Sequence, residues 1–374
     1  MKFLKSHTEI DAANAIDKAW IVAKGKQALA AKPRFITDFP AAMSPGGPHD
    51  YYSNGDYWWP NPDTPDGLPY IRRDGETNPD FFMHHREVMR ETRTCIAHLA
   101  AAYLVTGDEA FARKAVVYLE GFFVDERTKM NPHLLYGQAI PGRCSGRATG
   151  VIDTLHLIEV PVAIAALRNS PAMTSELLAK LRQWFGDYLQ WMTTHQYGIA
   201  EMNSHNNHGL CWHVQAAAFA LFAGNDQMVS FCRERFKSRI LPDMMAADGG
   251  FPDELSRTKP YGYSIFVLDN LVTLCHLLAT PEDNLWEFQL PDGRGVRRGM
   301  EFLYPYLADK SCWPFPQDVQ HFDAWPAAMS SFLFAGVGLG EKKYIDLWKG
   351  LDADPQDREV RRNMAIRQPL LWLA

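Results

Sequence analysis

Apolar side chains recur at helical spacing along most of the chain. The pattern is clearest over 174–195, where Leu177, Leu178, Leu181, Trp184, Phe185, Tyr188, Leu189 and Met192 follow the i, i+3, i+4, i+7 rule behind Thr174 as N-cap. Residues 108–124 repeat it, with Asp108 as cap after Thr106-Gly107 and a face of Phe111, Ala115, Tyr118, Leu119 and Phe122. Further helices are expected near 8–30, 80–105, 150–168, 209–223, 226–240, 262–279, 296–308 and 327–337, and strand-type alternation is scarce. Segments 150–168 and 209–223 are apolar nearly all round, as buried helices are, while 174–195 and 226–240 are amphipathic. Buried helices alternating with half-exposed ones across short turns such as Gly224-Asn225-Asp226 predict helical hairpins in an inner and an outer layer. The expected fold class is all-α, an α/α toroid of about six or seven helical hairpins closing as one domain. No fixed-period repeat supports a consensus solenoid.

Residues 40–79 break this rhythm. Seven prolines fall between Pro40 and Pro69, several beside glycine, so no regular helix can form there. Tyr51, Tyr52, Tyr57, Trp58, Trp59 and Tyr70 argue against disorder, because aromatic side chains want burial or a ligand. An ordered loop over a binding cleft is expected, with simple packing onto the fold as the bland alternative.

Composition narrows the partners. The 374 residues are 47% hydrophobic and 22% charged, with a net charge of −6, so the overall balance does not favour a nucleic-acid partner and an anionic ligand needs a local basic patch. The six cysteines are scattered without a Cys-x-x-Cys pair and read as free thiols. The first twenty residues lack the apolar core of a secretory signal, and no 18-residue apolar stretch is read as a membrane span. As written the chain is expected to be cytoplasmic, or periplasmic or secreted if a leader was removed.

Three clusters carry candidate chemistry. Asn203, His205, Asn206, Asn207 and His208 precede a buried helix, whose free N–H groups and dipole favour an anion such as a carboxylate; capping alone would need only one of them. His208 and His213 are five apart with no carboxylate at a matching offset, so no metal and no cofactor is expected. In GGFPDELSRTKPYGYSIF, Asp253, Glu254, Arg257, Lys259, Tyr261 and Tyr263 lie together, and a tyrosine beside fixed cations can serve as base and then acid. Residues two apart rarely point the same way, so either Tyr261 or Tyr263 takes that role. In NPHLLYGQAIPGRCSGRATGVIDT, His133, Tyr136, Gln138, Arg143 and Arg147 suit a uronic acid chain, since arginine reads carboxylates bidentately and glutamine reads hydroxyls. Arg72 and Arg73 would add to that basic patch.

The aromatic run from Ser44 to Pro79, the run from Asn131 to Thr154, the Asn206-Asn207-His208 triplet and FPDELSRTKPYGYS together resemble the alginate lyase superfamily of polysaccharide lyases, over about residues 35–340. The resemblance implies an α/α toroid and β-elimination on a 1,4-linked polyuronate, either alginate (poly-mannuronate) or glucuronan. It also implies that Asn207 and His208 meet the substrate carboxylate, that Tyr263 is the catalytic tyrosine and that Arg257 holds it. Tyr57, Trp58, Trp59, Arg72, Arg73, Tyr136, Gln138, Arg143, Arg147, His205, Lys259 and Tyr261 are then candidate substrate-binding residues. The chemistry suits these residue types: abstracting H5 beside a carboxylate demands neutralising donors, and one tyrosine can serve both steps where H5 and O4 lie on one side. Mannuronate and glucuronate share that geometry. Two rivals remain, a glycoside hydrolase using carboxylates from among Asp253, Glu254, Asp50 and Asp153, and a non-catalytic binder of acidic glycans.

Overall fold

The computed structural model describes residues 7–373. They divide into two compact units, the first formed by the described part of Met1–Asp17 with Ser204–Ala217 and Asp226–Leu373, the second by Lys18–Asn203 and Ala218–Asn225.

In the second unit the expected helices form where the apolar spacing places them. Helix Ser175–Thr194 buries Leu177, Leu181, Trp184, Phe185, Tyr188, Leu189 and Met192, and Thr174 caps it by accepting the Leu177 N–H. Each large side chain so buried contributes about 1.5–3 kcal/mol. Phe123, Trp184, Phe185 and Phe219 meet edge to face or tilted, with centroids 4.7–5.1 Å apart for the pairs of Phe123 with Trp184, Trp184 with Phe185, and Phe185 with Phe219. Helices His84–Thr106 and Glu109–Phe123 form a hairpin turned by Gly107 at φ 71°, with Asp108 accepting from the Ala110 N–H. The expected helix 8–30 is two, Lys18–Ala30 in this unit and His7–Ala15 in the first.

Residues 150–168 differ from expectation in a way that matters. Ala148–Ile158 is a 3-10 helix and only Glu159–Leu167 is α-helical. Three residues per turn align every third side chain, so Gly150, Asp153, His156 and Glu159 form one stripe inside a segment that reads as apolar. Gly150 packs on Gly137, where a Cβ would come within 2.5 Å of the Gly137 backbone. The other three residues face one side of helix His84–Thr106, whose Arg86, Arg90 and Arg93 lie four and three residues apart. Arg86 donates to Asp153 at 3.0 Å and Arg93 to Glu159 at 3.0 Å, while Arg90 and Arg93 stand 3.1 and 2.9 Å from the two ring nitrogens of His156. Buried charges occur here because each has a partner.

The first unit is built around helix Pro260–Leu278, almost wholly buried. Ser330–Gly338 packs against it and pairs with Lys342–Lys349 across Gly340 at φ 69°, and His276 stacks on Phe334 at 4.2 Å. Ala148–Leu167 and Pro260–Leu278, with mean hydropathy 1.7 and 1.2, are long and apolar enough to cross a membrane, against the expectation that no stretch was. They are 78% and 83% buried, which is where a core helix gets the same composition.

The 40–79 segment is ordered by short ladders. Tyr52–Asn54 pairs in parallel with Tyr136–Ala139, and Trp58–Trp59 pairs antiparallel with Ile71–Arg72. These pairings satisfy backbone groups that a helix would otherwise have used.

Candidate active site

In the first unit, the loop before helix Asn207–Ala223 separates capping from chemistry. Asn206 is the cap, its side-chain oxygen accepting the His208 N–H at 3.2 Å. That leaves Asn207 and His208 on the first turn. Asn207 is buried against Glu254, to which it donates three times: its backbone N–H to Oε1 at 3.0 Å, and Nδ2 to Oε1 and Oε2, each at 3.0 Å. Glu254 is 1% exposed, and burial pushes its carboxyl above the usual range against the opposing pull of the Asn207 bonds, Arg257 and His208.

Glu254 sits on the short helix Pro252–Leu255, and Arg257 lies two residues beyond its end. The Arg257 guanidinium lies over the Tyr263 ring, 4.4 Å from its centroid, and Nη2 donates to the phenol oxygen at 3.2 Å. A guanidinium is donor-only, so the phenol oxygen faces a fixed positive charge as acceptor. Tyr263 is half-buried on the first turn of Pro260–Leu278. Asn207, His208, Glu254, Arg257 and Tyr263 therefore form one cluster in one unit.

Three residues expected to bind substrate have other partners in the fold. Tyr261 is 0% exposed, donates its hydroxyl to the Tyr306 carbonyl at 2.8 Å, and meets Trp313 edge on at 4.9 Å; burial pushes its phenol far up. It is a core residue, and the two tyrosines diverge as neighbours two apart on a helix must. Lys259 is 3% exposed and its Nζ is 2.7 Å from Glu359, an ion pair inside the fold. His205 is exposed and turns to Asp243 at 3.6 Å. Asp318, which the pattern of the chain did not single out, anchors the helix start by accepting the N–H groups of Tyr261 at 2.8 Å and Gly262 at 2.9 Å. A Cβ at position 262 would lie 2.8 Å from that carboxylate, so glycine is needed for the approach.

The second unit carries the aromatic and basic candidates. Trp58 and Trp59 point to opposite faces of their strand. Arg143 and Arg147 lie 5.2 and 5.9 Å from the Trp58 ring, and Arg73 lies 4.9 Å from that of Trp59. Arg143 also donates to the Tyr70 carbonyl at 2.9 Å, and Arg72 pairs with Asp74 at 2.6 Å. Tyr136 covers Gly46, and the Tyr57 carbonyl accepts the Arg73 N–H at 2.8 Å. Gln138, expected to read a sugar hydroxyl, is instead internal. Its Nε2 donates to Asp153 at 3.1 Å, its Oε1 accepts from Arg147 at 2.8 Å, and its N–H reaches Ser53 Oγ at 2.8 Å, which together hold it at φ 50°.

Of the four carboxylates weighed for hydrolysis, Asp253 is exposed and the other three are occupied. Asp153 accepts from Tyr51, Ser53, Arg86 and Gln138, and Asp50 from Asn131 and Gly47, while Glu254 lies under Asn207. His213, the metal candidate beside His208, is buried with Nδ1 2.7 Å from the Gly209 carbonyl, and burial lowers its pKa to about 4. Among the described residues no group of three or more His, Cys, Asp or Glu is placed to hold a metal ion.

Residues 36–313 match the family described as alginate lyase. The chain belongs to the alginate lyase family. An alginate lyase from Bacteroides ovatus is similar in structure, with a TM-score of 0.82 and 32% identity, covering 95% of this chain and 92% of that one. An alginate lyase from Sphingomonas species A1, at 15% identity and a TM-score of 0.53 over 87% of each chain, shares the fold. No curated protein matches the chain. The fold class expected for this alginate lyase family member, all-α with the hairpins of an α/α toroid, is thereby borne out, and the protein is a polysaccharide lyase.

Proposed function

We propose that this lyase cleaves a 1,4-linked polyuronate, poly-mannuronate or glucuronan, by β-elimination at the Asn207–His208–Arg257–Tyr263 cluster. The observation that carries the reading is the Arg257–Tyr263 contact, 3.2 Å to the phenol oxygen and 4.4 Å to the ring, which puts positive charge where a phenolate would form. Asn207, His208 and Arg257 offer donors to the uronate carboxylate, so that negative charge arriving at C5 spreads onto a neutralised group. Tyr263 as phenolate takes the C5 proton, the electrons of the broken C–H bond form the C4–C5 double bond, and the C4–O4 bond breaks. The phenol then returns its proton to O4, leaving a 4,5-unsaturated uronate on one fragment and a hydroxyl end on the other. An alginate lyase variant of the same fold, 14% identical, is known complexed with a tetrasaccharide.

The arginines stacked on Trp58 and Trp59 suit a chain of carboxylated sugars, offering aromatic faces and bidentate donors together. The test is ultraviolet absorbance of the unsaturated end during incubation with poly-mannuronate, poly-guluronate, glucuronan and a non-uronate control, with and without a chelator. A chelator-insensitive rise on one of the first group names the substrate. New reducing ends without absorbance would overturn elimination.

A further inference from the structure

Asn207 is held in an unusual way for a residue meant to meet a ligand, because its side-chain amide is bound from behind by a buried carboxylate. An ionised carboxylate only accepts, so of the two ends of the amide only Nδ2 can face it. Nδ2 is 3.0 Å from both oxygens of Glu254, as when one N–H bisects the carboxylate, and this directs the second N–H outward. The Asn207 backbone N–H on the same Oε1 fixes the residue at a second point. Capping accounts for the bond from the Asn207 backbone N–H, one of the free N–H groups of the helix start, as Asn206 accounts for that of His208, but not for the two bonds from the Asn207 side-chain amide to a carboxylate that is costly to bury. We propose that Glu254 is the positioning residue of this site: it fixes which end of the Asn207 amide meets the substrate carboxylate, and so acts through Asn207 without touching the sugar. The inference rests on the polyuronate lyase reading for its substrate and on geometry alone for the coupling.

The isosteric change Glu254→Gln tests it. Its oxygen can replace Oε1, but its Nε2 then takes the place of Oε2 and confronts Asn207 Nδ2, donor against donor, so the amide must turn. On whichever uronate polymer the wild type cleaves, Glu254→Gln should lower kcat about 10- to 100-fold and leave KM within about threefold, because the oriented donor matters most as charge develops. In an Asn207→Ala background the same change should have less than about a threefold further effect, since its target is gone. Two effects that multiply instead would overturn the proposal.

The pH profile separates positioning from folding. As pH falls, protonation of Glu254, which faces His208 and Arg257, turns one of the two oxygens that accept from Asn207 Nδ2 into a donor, so wild-type kcat should carry an acid limb from this group that Glu254→Gln lacks. A second readout does not depend on turnover: the side-chain amide resonance of Asn207, identified by its loss in Asn207→Ala, should move as Glu254 titrates and stay still over that range in Glu254→Gln. If no polymer is cleaved, the substrate reading fails while the amide titration still decides the coupling. An Asn207 amide that ignores the charge of residue 254 would overturn it.

Discussion

Asp153 offers the sharpest separation between a structural and a catalytic carboxylate. It is 5% exposed, with three donors on Oδ2, from Tyr51 at 3.0 Å, Ser53 at 2.6 Å and Arg86 at 3.0 Å, and one on Oδ1 from Gln138 at 3.1 Å. Asp153→Ala strands two hydroxyls, an amide and part of a guanidinium, all within the fold. Breaking a buried ion pair costs about 3–5 kcal/mol, and Arg86 keeps Asp56 and the Asn54 carbonyl, so the lower end, about 3 kcal/mol, is expected. Asp153→Asn with its oxygen in the Oδ2 position keeps three donors and sets its amino group against Gln138, a loss of about 1–2 kcal/mol. Urea unfolding followed by tryptophan fluorescence, with activity measured on the folded fraction, gives both numbers. The reasoning is refuted if the alanine variant is within about 1 kcal/mol of wild type, or if the asparagine variant is fully stable yet inactive, as a hydrolytic carboxylate would be.

Other outcomes follow from the same geometry. Tyr263→Phe should lower kcat by about two orders of magnitude or more with KM little changed, whereas Tyr261→Phe should keep most activity and lose about 1–2 kcal/mol of stability with its bond to the Tyr306 carbonyl; steady-state kinetics and thermal melts on both variants check this, and the reverse pattern would reassign the role. His208→Ala should cost a comparable factor in kcat, read in the same assay. Burial raises the Asp269 carboxyl to about 6, so the folded state holds its proton more tightly than the unfolded state. Its contribution is complete below the ordinary carboxylate pKa and is lost as pH rises through about 6, up to about 3 kcal/mol. Asp269→Asn should therefore flatten the stability profile over that interval, as denaturant titrations across the range would show.

The one-dimensional pattern determined much of this protein. Helical periodicity and cap residues located Ser175–Thr194 and Glu109–Phe123 nearly to the residue, because a 3.6-residue repeat and a local side-chain bond are properties of neighbouring residues. The Asn/His and Arg/Tyr clusters were legible for a related reason: chemistry-bearing residues crowded at helix starts stand out against apolar runs.

Partnerships across long sequence separations were not legible. Nothing local distinguishes Tyr261 from Tyr263; Tyr306 and Asp318, about fifty residues downstream, claim the first and leave the second to Arg257. By residue type Glu254 is a candidate acid, yet it lies under Asn207, and Gln138 is a candidate sugar reader, yet Asp153 and Arg147 hold it. The polar stripe of Asp153, His156 and Glu159 is masked by an apolar segment, and its three-residue spacing lines up as one face because a 3-10 helix runs to Ile158 and lies against Arg86, Arg90 and Arg93. A residue type states what a side chain can donate or accept; only the folded chain decides which partner reaches it first, and that choice separates a tyrosine held beside a guanidinium from a buried one.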